Sequence, residues 1–420
     1  SGYGKTSFLR ALVVQLAAVL PPDALHVYVL DLGGRSFGSL RQLPHLGDII
    51  MPDDEAYEER LNRLMERLEE TLQARKVAFS AVDAATLADY NAARPDETLP
   101  AILVLIDNFA ELKENFGELI DERLTPLLRS GRTYGLYFVV TAADLGGIPS
   151  RVLNLFGQRL TFSLADTGSY LDVVGRNAPA IGDTPGRGLA RVDGRPLAFQ
   201  AALPVRAGEE SEGVRLRRLA ETLRDAWDGP TPEPVRILPR VAPLAGVLAA
   251  APEPVDGEPE AVLGFDNRLQ PALFNLRRHG PHFAVVGPPL SGKTTTLINW
   301  VLSLAARHAP EQVAFVLVDF NRKFTHYGGR RDLGGLPHVL TVAREAGELP
   351  GLVARVAAEC RALAGGDSTR RLHVVIDNFD DLIEEIERNS DAVDALSDLA
   401  QLAGRHGADG LHVIIGGQLD

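Results

Sequence analysis

The 420-residue chain has a single cysteine, Cys360, which excludes an internal disulfide framework and any thiolate metal cluster and points to a reducing compartment. Long apolar runs are also missing. The longest, residues 11–20 and 300–306, are too short and too often interrupted to cross a bilayer and are expected as buried helices. No charged n-region leading into an apolar h-region opens the chain, so no secretory signal is expected in this stretch, whose first residue already falls inside a motif. Basic residues are in the minority: 43 Lys and Arg stand against 56 Asp and Glu, for a net charge of −13. That balance disfavours a broadly basic nucleic-acid surface and ranks a protein partner above a nucleic acid, with a local basic loop or pore still compatible. No low-complexity tract dominates. What remains is ordinary globular matter, 45% hydrophobic and 24% charged, expected to be soluble and too long for one core, so two domains are expected.

The same landmarks occur twice in the same order. In the second copy an apolar run at residues 283–286 reads as a buried strand. Gly287-Pro288-Pro289-Leu290-Ser291-Gly292-Lys293-Thr294 follows it, and residues 295–306 read as a helix. Strand, glycine loop and helix form the context in which G-x-x-x-x-G-K-[ST] is a phosphate site. The first copy starts within that motif, at Ser1-Gly2-Tyr3-Gly4-Lys5-Thr6, and continues into an apolar helix at residues 8–20; its opening glycine and preceding strand are expected before Ser1.

Asp31 ends a buried strand 26 residues after Lys5, and Asp319 ends one 26 residues after Lys293. Each is followed by Leu-Pro-His, at Leu43-Pro44-His45 and Leu336-Pro337-His338. Two further apolar runs then end in Asp107-Asn108-Phe109 and Asp377-Asn378-Phe379. These are Walker B strands, whose terminal aspartate belongs at the carboxyl edge of a parallel sheet beside the phosphate loop. Strands alternating with helical stretches predict α/β domains with mainly parallel sheets. The domains are placed at residues 1–203 and 260–420. Between them, residues 204–259 read as a Pro- and Glu-rich linker carrying a docking helix at residues 214–227.

The residues expected around nucleotide are Gly2, Gly4, Lys5, Thr6 and Ser7 in the first copy and Gly287, Ser291, Gly292, Lys293, Thr294 and Thr295 in the second. The loop offers backbone N–H groups to phosphate oxygens, and the helix behind it adds its positive end. With ATP bound, the lysine reaches the terminal phosphates; Mg²⁺ would be held by Thr6 and Asp107, and by Thr294 and Asp377. Hydrolysis further needs a group that orients or deprotonates water, commonly a carboxylate directly after the Walker B aspartate. Both copies place asparagine there, Asn108 and Asn378, so binding with slow turnover is expected. Glu111 and Asp381 follow on the next helical turn and read more simply as exposed helix carboxylates. Arg132 and Arg405 each precede the next core strand, as trans-acting fingers or as helix-end arginines. Thr141 and Gln418, after those strands, are candidate γ-phosphate sensors. The charged stretch 53–76 reads as a solvated amphipathic helix. His45 and His338 lack a second ligand at metal spacing and read as turn or interface residues.

These residues resemble the FtsK/SpoIIIE branch of RecA-like hexameric translocases, in which a Walker B run leads into an aromatic residue and an acidic helix, as in Asp107-Asn108-Phe109-Ala110-Glu111-Leu112. The resemblance is closer to the EccC type of type VII secretion ATPases. It rests on Leu30-Asp31-Leu32-Gly33-Gly34, Gly131-Arg132-Thr133-Tyr134-Gly135, Pro185-Gly186-Arg187-Gly188-Leu189, Ala226-Trp227-Asp228-Gly229-Pro230 and Gly280-Pro281-His282. It implies the second and third ATPase domains of such a protein. It also implies a hexameric parent at the cytoplasmic face of the bacterial membrane, anchored through an N-terminal region not in this sequence, and partners of two kinds: sister ATPase domains and small helical WXG100-type substrates with a C-terminal export signal. The competing reading is a DNA translocase, for which duplex binding with a steep salt dependence is expected.

Overall fold

A computed structural model describes residues 4–164, 168–254, 258–324, 332–365 and 370–418. The chain divides into two compact units, residues 1–237 and 238–420.

The first unit is built on four parallel strands: β1 (Leu25–Asp31), β2 (Leu46–Ile50), β3 (Ala101–Asp107) and β4 (Leu136–Val140), in spatial order β2-β1-β3-β4. Successive side chains of a strand point to opposite faces, and both faces here are apolar. Leu103 and Leu105 of β3 join Val27 and Val29 of β1 under the helix Lys5–Ala17, with Leu9 and Val13. Ile102, Val104 and Ile106 join Tyr28 and Leu30 on the other face, under the long helix Tyr57–Ala81 with Leu61, Leu64, Met65 and Leu68. Leu105 is fully buried in the middle of this sheet. Its replacement by alanine is expected to lower unfolding stability by roughly 2–5 kcal/mol, read as a shift in the urea midpoint of the first unit.

A small antiparallel sheet follows: β5 (Leu160–Phe162), β6 (Arg187–Val192) and β7 (Arg195–Gln200). It seats on the first turn of helix Lys5–Ala17 through Phe8, whose ring meets Phe162 at 6.2 Å and Phe199 at 6.4 Å. In the second unit an antiparallel hairpin, β8 (Ala261–Phe265) and β9 (Pro271–Phe274), precedes the main sheet. Five parallel strands follow: β10 (Phe283–Val286), β11 (Val313–Val318), β12 (Val339–Ala343), β13 (Arg371–Ile376) and β14 (Leu411–Gly417), in order β10-β14-β13-β11-β12. Its faces sort in the same way, with Phe315 and Leu317 under helix Lys293–Arg307 and Val316 and Val374 on the other side.

The segment between residues 204 and 259 is packed rather than extended. The helix Glu212–Asp225, started by Ser211 as N-cap, buries Leu216 and Ala220 in the first unit's core. Residues 233–235 are pinned there too: Tyr28 Oη and Arg67 donate to Glu233 O, and Val235 N donates to Asp48. A second helix, Leu244–Ala250, buries Val247 in the second unit. The charged helix Tyr57–Ala81 spends several of its arginines internally, Arg60 on Asp48 and Asp54 and Arg67 on Glu233.

Candidate nucleotide-binding sites

Register decides where the site chemistry collects. Asp31 and Asp107 are paired across β1 and β3, and Val318 and Ile376 are paired across β11 and β13 just before Asp319 and Asp377. Each sheet therefore carries two aspartates at its carboxyl edge, beside the amino end of the phosphate-loop helix. That helix begins on a glycine in the left-handed region, Gly4 at φ 103° and Gly292 at φ 94°, where a side chain is strained. In the second loop a Cβ on Gly287 would fall 2.6 Å from Ser291 Oγ, so a side chain there would crowd Ser291 across the loop.

In the first unit Thr6 Oγ1 donates to Asp107 Oδ2 at 2.8 Å, and Thr141 Oγ1 donates to Asp107 Oδ1 at 2.5 Å. Thr141 Oγ1 also accepts from Asn108 N at 3.0 Å. In the second unit Thr294 Oγ1 lies 2.9 and 3.0 Å from the two Asp377 oxygens. Lys293 Nζ donates to the carbonyls of Gly287 at 2.7 Å and Pro288 at 2.9 Å, so the ammonium already lies inside the loop. Burial raises the Asp377 carboxyl above the ordinary range, against the pull of the Thr294 hydrogen bond. A hydroxyl and a carboxylate in direct contact, next to backbone donors and a lysine, fit the hard-oxygen preferences of Mg²⁺. Thr6 with Asp107, and Thr294 with Asp377, are the pairs that would hold it.

Not every expected residue joins these clusters. Ser7 accepts from Arg10, and Gly2 lies outside the described residues. Thr295 continues helix Lys293–Arg307. The first-unit partner of Asp107, Thr141, has Gly416 as its counterpart in β14, since Ile106 pairs with Val140 as Ile376 pairs with Ile415. Gln418 lies two residues farther on, and its backbone N–H, at 2.7 Å, donates to Asp380. Arg132 and Arg405 are exposed and precede β4 and β14, at the amino edge of each sheet. A five-residue strand, about 16 Å, separates Arg132 from its own phosphate loop. Glu111 bonds within its helix to Asn115, whereas Asp381 accepts from Asn321 in the loop after β11.

Asn108 and Asn378 both stand in the left-handed region, at φ 71° and φ 49°. Asparagine tolerates that conformation better than most side chains. Asp31 and Asp319 are wholly buried and cap the following loop: Asp31 accepts from Phe37 N, and Asp319 from Lys323 N and Phe324 N. Their equal spacing from the two lysines was the available signal for this shared role. The Leu-Pro-His histidines also share one: His45 Nε2 donates to Leu20 O at 2.7 Å, and His338 Nε2 to His308 O at 2.8 Å, both from buried positions.

A cavity of about 850 Å³ in the second unit lies away from the phosphate loop, lined by Phe379, Ile383, Ile386, Leu396 and Ile415. The matching face of the first unit, around Phe109 and Val140, is filled by Ile148, Val152 and Phe156.

Parallel sheets with a glycine loop, an invading lysine and a hydroxyl–aspartate pair define the P-loop nucleotide-binding class. A model of the FtsK/SpoIIIE family matches residues 1–180 and 255–363, and the chain belongs to that family. Among its relatives, the ESX secretion system protein EccC of Geobacillus thermodenitrificans is 28% identical over 338 residues, 79% of this chain and 22% of the relative. The ESX-4 secretion system protein EccC4 of Mycobacterium tuberculosis is 29% identical over 323 residues, 76% of this chain and 24% of the relative. The chain thus spans under a quarter of the length of these relatives. Among solved structures, ATPases 2 and 3 of EssC from Geobacillus thermodenitrificans match with a TM-score of 0.80 at 25% identity, covering 100% of this chain and 77% of that one. ATPases 2 and 3 of Thermomonospora curvata EccC, in complex with a signal sequence peptide, match with a TM-score of 0.69 at 25% identity, covering 100% and 75%. Family membership implies nucleotide binding. No helix among the described residues is long and apolar enough to cross a membrane.

Proposed function

We infer that the two units are the ATP-holding, regulatory part of a type VII secretion translocase, binding ATP with Mg²⁺ and hydrolysing it slowly while the parent protein recognises and exports small helical substrates. The observation that carries this reading is the repeated pairing of a phosphate-loop threonine with a Walker B aspartate whose following residue is asparagine in both copies. The pair fits a Mg²⁺-bound triphosphate; the amide can hydrogen-bond a water molecule but cannot accept its proton. Bound ATP then acts as a clamp within each unit. The relatives named above, one of them solved with a signal sequence peptide, support placing this clamp in secretion. A hexameric parent at the cytoplasmic face of the membrane and WXG100-type substrates belong to the same proposal.

Single-turnover hydrolysis tests the clamp. The unmodified protein is expected to turn over well below the roughly 1–100 s⁻¹ of phosphoryl-transfer motors, and a rate within that range overturns the reading. Asn108→Glu and Asn378→Glu restore a carboxylate and are expected to accelerate the step at least tenfold, since general bases typically supply about 10²–10⁴. The same changes put glutamate at positive φ, with an expected stability loss of about 1–2 kcal/mol per site.

A further inference from the structure

The sequence motif Pro185-Gly186-Arg187-Gly188 is not used by the phosphate loop itself, yet it lies against it. A Cβ built on Gly4, the glycine that starts helix Lys5–Ala17, would sit 3.5 Å from both the Cα and the N of Gly186. Backbone meets backbone there, and both residues are at positive φ, 103° for Gly4 and 76° for Gly186. The turn is held in three ways: Arg187 N donates to Thr184 O, Ala201 N donates to Gly186 O, and Gln200 Nε2 donates to Pro185 O. The small sheet behind it is fixed on the same helix by the Phe8, Phe162 and Phe199 rings. Gly188 has no room for a side chain, because a Cβ would meet Phe199 at 2.6 Å. The motif is thus a rigid element beside the first phosphate loop.

Arg187 is its exposed cation, one residue from the contact with Gly4. Two other arginines near this end of the sheet are matched by carboxylates, Arg10 by Glu212 and Arg35 by Asp53. Among the described residues Arg187 instead bonds a neutral amide, Gln200 Oε1, through Nε at 3.0 Å, an arrangement that fixes the stem and leaves the two Nη groups for another acceptor. Arg132, the arginine singled out from sequence, lies at the opposite edge of the sheet. We propose that Arg187 is a further phosphate-binding residue of the first unit, donating in cis to the terminal phosphate oxygens of the nucleotide, with Pro185 and Gly186 forming a wall of the same pocket. This rests on the reading of the first unit as a nucleotide site. A guanidinium fork suits phosphate oxygens because it supplies two parallel charged hydrogen bonds.

The test is nucleotide titration of the protein with its first glycine loop and preceding strand complete, carrying Lys293→Ala, which silences the second site, with fluorescent ATP and AMP analogues. Arg187→Ala is expected to weaken ATP binding roughly 10- to 100-fold and AMP binding less than threefold. Arg187→Lys is expected in between, since it keeps the charge and loses the fork. Arg191→Ala and Arg195→Ala, exposed on the same hairpin, are expected to leave the ATP affinity unchanged. An Arg187→Ala affinity within twofold of the parent overturns the proposal, as does equal weakening by Arg191→Ala, which would indicate a general field rather than a contact. If the Lys293→Ala parent binds no ATP, the reading of the first unit as a nucleotide site falls, and the assignment of Arg187 with it. Unchanged melting of the unliganded variants guards against misfolding as the cause.

Discussion

Lys293→Ala is expected to reduce ATP affinity of the second site by at least 100-fold while leaving its fold intact. The unliganded loop already directs Lys293 Nζ inward, onto Gly287 O and Pro288 O, and those carbonyls act as placeholders for phosphate oxygens. When a triphosphate enters, the lysine exchanges two neutral acceptors for charged ones. Hydrogen bonds to charged groups contribute about 1.5–3 kcal/mol each, so loss of two such bonds is worth two or more decades of affinity. Removing the ammonium from the empty loop breaks only partly exposed contacts, so the stability of the unliganded protein should change little. Calorimetric titration gives the affinity directly. Melting gives an independent check: saturating ATP at about 100 times its Kd should stabilise the wild-type second unit by about 2.7 kcal/mol, and this increment should vanish in the variant. Retention of a full ATP-dependent shift in the second unit would contradict the assignment of Lys293.

The sheets and the threonine–aspartate pairs were legible because they depend on local patterns: apolar runs ending in aspartate, and a lysine–threonine pair behind a glycine. Repetition strengthened them, since Asp31 and Asp319 stand at the same distance from Lys5 and Lys293. Features built from distant partners were not legible. Helix Leu244–Ala250 has no polar face and sits between prolines at 243 and 252, so no periodicity marks it. The anchoring of residues 233–235 depends on Tyr28, Asp48 and Arg67, more than 160 positions away. Arg187 escaped notice as a site residue for the same reason, because only the folded chain brings Gly186 onto Gly4. The place of Arg132 before a core strand was readable, and the direction of that strand puts it at the edge away from its own phosphate loop, so that any phosphate it reaches is a neighbour's.

The second unit is expected to lose stability steeply as pH falls from 6.5 towards 4. Two buried histidines on β13 and β14 face each other with ring centroids 5.0 Å apart. His373 accepts a hydrogen bond from Trp300 Nε1 at its Nδ1, so protonating that nitrogen would set two donors against each other in the core. Burial drives its pKa well below the ordinary value, and the neighbouring His412 adds to the effect. His412 donates through Nδ1 to Pro281 O and is held at about 4, chiefly by burial. Both folded-state values lie below the 6.5 of an unfolded histidine, so the unfolded chain binds more protons throughout the window between them. Stability is therefore complete above pH 6.5 and falls as pH drops, by up to about 1.4 kcal/mol per pH unit for each histidine. For His412 alone the interval from 6.5 to about 4 amounts to roughly 3 kcal/mol. Urea unfolding at pH 7 and pH 5 measures the slope, with Trp227→Phe leaving Trp300 as the sole indole reporter of the second unit. His412→Asn retains an N–H donor for Pro281 O and removes one titrating group, so the acid-induced loss should shrink. An unchanged slope in that variant would place the acid sensitivity elsewhere, whereas a reduced one ties it to the imidazoles packed beneath the Walker B strand.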